Sequence, residues 1–213
     1  MDTIIAETLD NLRKNNMNAL YVATKAEVAG AVEKLLSPGD TIGVGGSVTL
    51  DETGVTALIR RPEYRFIDRY DPSLNAAERA DAFRRALAAD VFLLSANAIT
   101  QGGTLYNVDG NGNRVSALIY GPKKVIVVAG INKIVADVPA AIRRVKTVAA
   151  PLNARRLHCK TYCSETGHCL HLDGDMTDGC GSPDRICAQY VASGWQRLAG
   201  RITVILVGEA CGY

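Results

Sequence analysis

Val125-Ile-Val-Val-Ala-Gly130 contains no polar side chain. The run is too short for a buried helix and is mostly β-branched, so it reads as a strand covered on both faces. VFLLSAN (91–97) and ITVILV (202–207) have the same character. A half-exposed strand would alternate apolar and polar residues. Continuous apolar strands instead belong to a largely parallel sheet with helices on either side, an α/β architecture.

The surrounding segments supply those helices. Ile5, Leu9 and Leu12 repeat at helical spacing within residues 3–16, and LNAAERADAFRRALAA (74–89) reads as a surface helix. Thr24 and Glu27 form a capping box ahead of Val28, Val32 and Leu35, and Pro38-Gly39 closes that helix. VTLDETGVTALIR reads as one helix stopped near Pro62, and another helix begins around Pro139 and ends before Pro151. ALYVA (19–23), DTIGVGG and YRFID add strands. TLYNVD and VSALIY flank Gly110-Asn-Gly-Asn113, which predicts a β-hairpin and so a mixed sheet. No linker or repeat interrupts the chain, so residues 1–213 are expected to form one domain with 158–188 as an insertion.

Apolar residues make up 47% of the 213 positions and charged ones 22%, the balance of an ordinary globular protein. A net charge of +2 gives no reason to expect nucleic acid or an anionic membrane as partner. No apolar run approaches the roughly 20 residues that span a bilayer. MDTIIAETLDNLRKNN lacks the basic start and apolar stretch of a signal peptide. The expectation is a cytoplasmic protein with reduced thiols.

Polar residues gather where the strands end. Gly43-Val-Gly45-Gly46-Ser47 joins a strand to a helix, where backbone N–H groups attract anions, though it matches neither a dinucleotide fingerprint nor a P-loop. Its plain alternative is a tight turn with Ser47 as N-cap. Asn97, Thr100, Gly102, Gly103 and Asn107 follow a second strand, and Asn132 and Lys133 follow a third. In an open α/β sheet the ligand crevice lies at such carboxyl ends. Together these residues predict one polar pocket for a small anionic ligand.

Five of the six cysteines, Cys159, Cys163, Cys169, Cys180 and Cys187, fall within residues 159–187. Their polar, Gly- and Asp-rich surroundings offer no core to fill, so a metal, an iron–sulfur cluster or disulfides must order the loop. A reducing compartment disfavours disulfides. The spacing has neither the C-x2-C knuckles of a zinc ribbon nor the C-x2-C-x2-C run of bacterial ferredoxins. His168 and His171, in the same loop, are further candidate ligands.

GGSVTLDETG, SANAITQGGTLYNVDGNGNRVSALIYGPKKVIVV, INKIV and AAPLNARRL together resemble the LUD (lactate-utilisation) domain family, and most closely its short cysteine-bearing members. The resemblance implies a three-layer fold like that of ribose-phosphate isomerases and coenzyme-A transferases. Thr161-Tyr-Cys163, Thr166-Gly-His-Cys169, Cys180 and Ser182-Pro-Asp-Arg-Ile-Cys187 match the family's pattern. It therefore implies Cys163, Cys169, Cys180 and Cys187 as metal ligands, with Cys159 and Cys211 as bystanders. Two departures stand out: HLDGDMTDG lengthens the interval between the second and third cysteines, and Gln101 replaces an acid common in relatives. A glutamine cannot act as general acid or base, which leaves Glu52 and Asp109 as catalytic candidates.

The expected function is a role in lactate or related organic-acid metabolism, with a small anionic metabolite in the cleft. The favoured cofactor is an iron–sulfur cluster, of the 4Fe-4S type, with zinc as the alternative. Iron–sulfur redox subunits of lactate oxidation and further copies of the chain are the expected partners. The rival functions are a ligand-binding module with a structural zinc and a metal-free isomerase- or transferase-like enzyme.

Overall fold

The computed structural model describes residues 2–213. Six parallel strands form the main sheet: β1 (Asn18–Val22), β2 (Thr41–Val44), β3 (Arg65–Phe66), β4 (Val91–Leu94), β7 (Lys124–Gly130) and β10 (Ile202–Val207), in the order β1-β10-β7-β4-β2-β3. Strand alternation sends Phe92, Leu94, Val125 and Val127 to one face and Val91, Leu93, Ile126 and Val128 to the other. The first face packs on α1 (Thr3–Lys14), α5 (Ala76–Ala86) and α6 (Asn113–Ile119). The second packs on α2 (Val28–Glu33), α3 (Val48–Glu52) and α4 (Val55–Ile59). These are the three layers that two-sided strand burial demands. Among the described residues, no helix is long and apolar enough to cross a membrane.

A second sheet stands apart from the first. It comprises β5 (Ala98–Thr100), β6 (Leu105–Asp109), β8 (Ile134–Val135) and β9 (Gln189–Ser193), ordered β8-β5-β6-β9. β5 runs parallel to β8, whereas β6 is antiparallel to both β5 and β9. α7 (Val138–Arg144) and α8 (Ala150–Arg156) pack on it, with Tyr106, Val108, Ala141, Val145 and Ala150 forming a small core. The expected single mixed sheet is thus two sheets, one wholly parallel and one mixed.

Four sequence expectations are corrected. The hairpin lies at Thr100–Thr104, where Thr100 N donates to Thr104 O and Gly103 N to Thr100 O. VSALIY is helix α6, because the Asp109 carboxylate accepts from Arg114 N at 3.0 Å and Val115 N at 3.3 Å and so caps a helix instead of a turn. Gly54, at φ 72°, splits the expected helix 48–60 into α3 and α4. The helix expected to stop before Pro151 continues: residues 145–149 widen into a π turn, and Pro151 falls in the first turn of α8, where its missing N–H is harmless. Thr24 makes no side-chain cap, although Glu27 accepts from Ala23 N at 2.8 Å.

Candidate functional site

β2, β4 and β7 are adjacent and parallel, so their carboxyl ends share one edge. A cleft of about 610 Å3 opens there. Gly46 and Ser47 enter it after β2, Ser95 and Asn97 after β4, and Lys133 after β7, with Asp109 from the end of β6. Ser47 caps α3, its hydroxyl accepting from Leu50 N at 3.3 Å. A five-residue helix has only a small dipole, so side chains must supply the positive potential. Arg69, Arg79, Arg114, Arg156 and Arg185 do so, against the carboxylates Asp109 and Asp184. The Arg69 guanidinium lies over Tyr70 and Phe83, 4.6 and 4.8 Å from their ring centres. It covers Gly46: a Cβ there would stand 2.9 Å from an Arg69 nitrogen and 2.6 Å from the Tyr70 hydroxyl.

The wall behind the cleft holds buried cations with neutral partners. Lys133 is 2% exposed and its Nζ donates to Thr49 Oγ1 and Ser95 Oγ, each at 2.9 Å. Burial, aided by the nearby Arg144 and Arg114, pushes its ammonium down to about 7. Arg114 donates to the carbonyls of Ser95 and Val108 and to the side-chain oxygens of Asn97 and Asn107. Arg144 donates to the carbonyls of Asn132 and Asn97. Among the described residues, the ion pairs involve none of these three. Asp109 favours the charge of Arg114 and Glu52 that of Lys133 without pairing directly with either, so an anion in the cleft would offset more of the cost of burial.

Other predicted residues lie elsewhere. Thr100, Gln101, Gly102 and Gly103 form the β5–β6 turn against α1: Asn11 Nδ2 donates to Gln101 O at 2.9 Å, and Asn15 Nδ2 to Gly102 O at 3.0 Å. Gly103 has φ 79°, and a Cβ there would stand 2.7 Å from the α1 backbone. Gly45 backs onto the Arg114 side chain, and Asn107 accepts from that guanidinium at 2.6 Å. Asn132 holds the 211–212 backbone through Gly212 O and Cys211 N. Glu52 pairs with Lys25 at 2.9 Å and accepts from Gly212 N, and the Lys25 bond holds its carboxyl below the usual range. Of the two catalytic candidates, only Asp109 borders the cleft, where it accepts from three backbone N–H groups.

The cysteines define a second space. Cys163, Cys169, Cys180 and Cys187 line one small, mostly apolar cavity of about 30 Å3, with Tyr106 and Val145 at its base. Cys159 and Cys211 do not border it. All six thiols are free. Cys163 follows Thr161, the N-cap of α9 (Tyr162–Thr166), whose hydroxyl lies 3.4 Å from the sulfur. Cys169 N donates to Lys146 O at 2.8 Å. The lengthened interval after Cys169 wraps the buried Lys146, whose Nζ donates to His171 O, Gly174 O and Asp175 O. Burial, then the other three sulfurs, push the Cys187 thiol up to about 12, with Arg185 opposing. Among the described residues, no three His, Cys, Asp or Glu side chains are grouped so as to hold one metal ion. Arg185, Ile186 and Cys187 border both this cavity and the basic cleft.

Lys146, Arg144 and Arg69 had no signal in the sequence, since a helical lysine or a loop arginine reads as solvated charge. Lys146 could have been suspected only from its buried helix face beside Val145 and Ala149.

A search of curated proteins finds no match. Among solved structures, a DUF162 family protein from Deinococcus radiodurans superposes with a TM-score of 0.52 at 18% identity, covering 96% of this chain and 95% of the other. That overlay shows a shared fold. Ribose 5-phosphate isomerase A from Methanocaldococcus jannaschii gives 0.38 at 15% identity, covering 82% and 80% of the two chains. The eIF2B beta subunit from Chaetomium thermophilum gives 0.36 at 19% identity, covering 53% and 43%. The family model of the LUD domain matches residues 5–207, nearly the whole chain, so this protein belongs to the LUD domain family.

Proposed function

We propose that the protein serves lactate or related organic-acid metabolism in the cytoplasm, binding a small anionic metabolite in the basic cleft and an iron–sulfur cluster through Cys163, Cys169, Cys180 and Cys187. The observation that carries this reading is the shared wall: Arg185-Ile186-Cys187 separates a four-cysteine cavity from a cleft rich in arginine. The donor set fits such a group. Thiolates are its ligands, and the cavity that the four cysteines line is mostly apolar. When bound, the cluster would supply one-electron redox chemistry. The chain's own residues would do the rest: Lys146 and Arg185 hold the loop backbone, and Arg69, Arg79 and Arg156 attract the anion. An electron-exchange partner, such as an iron–sulfur subunit of lactate oxidation, would dock near this wall.

The test is anaerobic purification followed by iron, sulfide and zinc analysis, a visible spectrum, and dithionite reduction monitored by electron paramagnetic resonance. Iron and sulfide with a reducible signal support the reading. Colourless protein with one tightly bound zinc overturns the redox half. Thermal protection by lactate, pyruvate or phosphate tests the anion half.

A further inference from the structure

Building on the anionic ligand proposed for the cleft, we propose that Lys133 is a nucleophilic amine that forms an imine with an aldehyde or ketone also bearing a carboxylate or phosphate. Lys133 leaves the end of β7 and lies buried at the cleft floor, framed by Thr49 and Ser95. Thr49 gives its hydroxyl proton to Cys211 O at 3.2 Å, and Ser95 gives its own to Ala96 O at 3.5 Å. Both hydroxyl oxygens therefore accept from Nζ, which fixes two N–H directions. One position on the nitrogen remains, occupied by a third proton in the ammonium and by a lone pair in the amine.

A lysine that served only to hold an anion would keep its charge in the open, within reach of water. This one is buried and bonded only to neutral oxygens; burial, then Arg144 and Arg114, disfavour its charge, while Cys211 and Glu52 favour it. Those are the conditions that hold a lysine as a free amine near neutral pH. The anionic group of the ligand does not need the Lys133 charge, because Arg69, Arg79 and Arg156 line the same cleft. Lys133, Thr49 and Ser95 all line the cleft, and the carbonyl carbon would come to Nζ from that side.

The step balances without an oxidant. The nitrogen lone pair attacks the carbonyl carbon, a C–N bond forms, and the C=O π pair moves to oxygen. The oxygen takes a proton released by nitrogen to give a carbinolamine. Loss of water then breaks the C–O bond and leaves the imine.

The experiment incubates the full chain at pH 7 with pyruvate, glyoxylate or dihydroxyacetone phosphate, each with cyanoborohydride, and locates adducts by peptide mass spectrometry. The exposed Lys34 and Lys160 are internal controls. The expected result is a saturable adduct on Lys133, formed roughly tenfold faster than on the controls, and absent from Lys133→Arg. Labelling confined to exposed lysines overturns the proposal. Thermal protection by the same compounds is read in parallel. Protection without a Lys133 adduct overturns the imine and leaves the anion site standing, whereas loss of both removes the two together.

Discussion

Arg185 donates its Nε–H to the carbonyl oxygen of Cys187 at 2.8 Å. Its other nitrogens reach Cys180 O at 3.3 Å and the Tyr190 hydroxyl at 2.8 Å. One planar guanidinium thus ties Cys180 and Cys187 to β9. A lysine cannot reproduce that fork. On the proposed cluster reading, Arg185→Lys is expected to hold much less iron per chain than the parent while leaving the main fold intact, as measured by metal analysis alongside circular dichroism.

Cys163, Cys169, Cys180 and Cys187 share one cavity and Cys159 and Cys211 do not border it. Serine at any of the first four should release iron and sulfide, and serine at either of the other two should retain them. Elemental analysis after anaerobic purification distinguishes the sets. Retention in Cys180→Ser would remove that residue from the ligand set.

Lys146 Nζ satisfies three backbone carbonyls of the long interval, at 2.7, 2.9 and 2.8 Å. Lys146→Met would leave them without this donor, at a cost of about 1–3 kcal/mol, lessened because His171, Gly174 and Asp175 are exposed and water can take its place. The expected outcome is faster protease cleavage between residues 170 and 179, with a lowered urea midpoint. Unchanged cleavage would show that the loop is held by something else.

Two glycines should respond differently. Gly103→Ala forces a Cβ to 2.7 Å from the α1 backbone at a positive φ and should lower the thermal midpoint by several degrees. Gly46→Ala meets only the ends of Arg69 and Tyr70, which can swing away. It should fold normally and lose protection by phosphate. Equal ligand responses in the two variants would refute this division.

Lys133 provides a pH signature. Its ordinary value is 10.5, and burial lowers it to about 7 in the fold. Between those values the unfolded chain carries the extra proton, so this group makes stability rise with pH across that window and is most unfavourable below it. Urea titrations at pH 7 and pH 9 should show the rise in the parent protein and a smaller one in Lys133→Met. An equal rise in both would assign the dependence to other groups.

The central strands β2, β4, β7 and β10 were legible in the sequence because their own side chains declare two-sided burial, whereas the edge strands β1 and β3 are largely exposed. VIVVAG and ITVILV could be nothing else, and the parallel arrangement then placed Gly46, Ser47, Asn97 and Lys133 along one edge. The segment around Gly110–Asn113 misled because Asn-Gly serves a hairpin or a helix start equally well, and the Asp109 cap that decides between them is a local geometry, not a composition. β8 and β9 are too short or too polar to announce themselves, and exist because β5 and β6 offer open edges.

The sequence by itself determined the layered α/β core and the clustering of cysteines. Only the tertiary structure decided that Gln101, Gly102 and Gly103 brace α1 while Arg69, Arg114 and Arg185 face the cleft. It also decided that four cysteines line one cavity beside that cleft. Periodicity records which face of an element is buried. The partners of a charged or polar side chain are set by segments tens of residues away, as Lys133 and Thr49 show, and that pairing leaves no trace in local pattern.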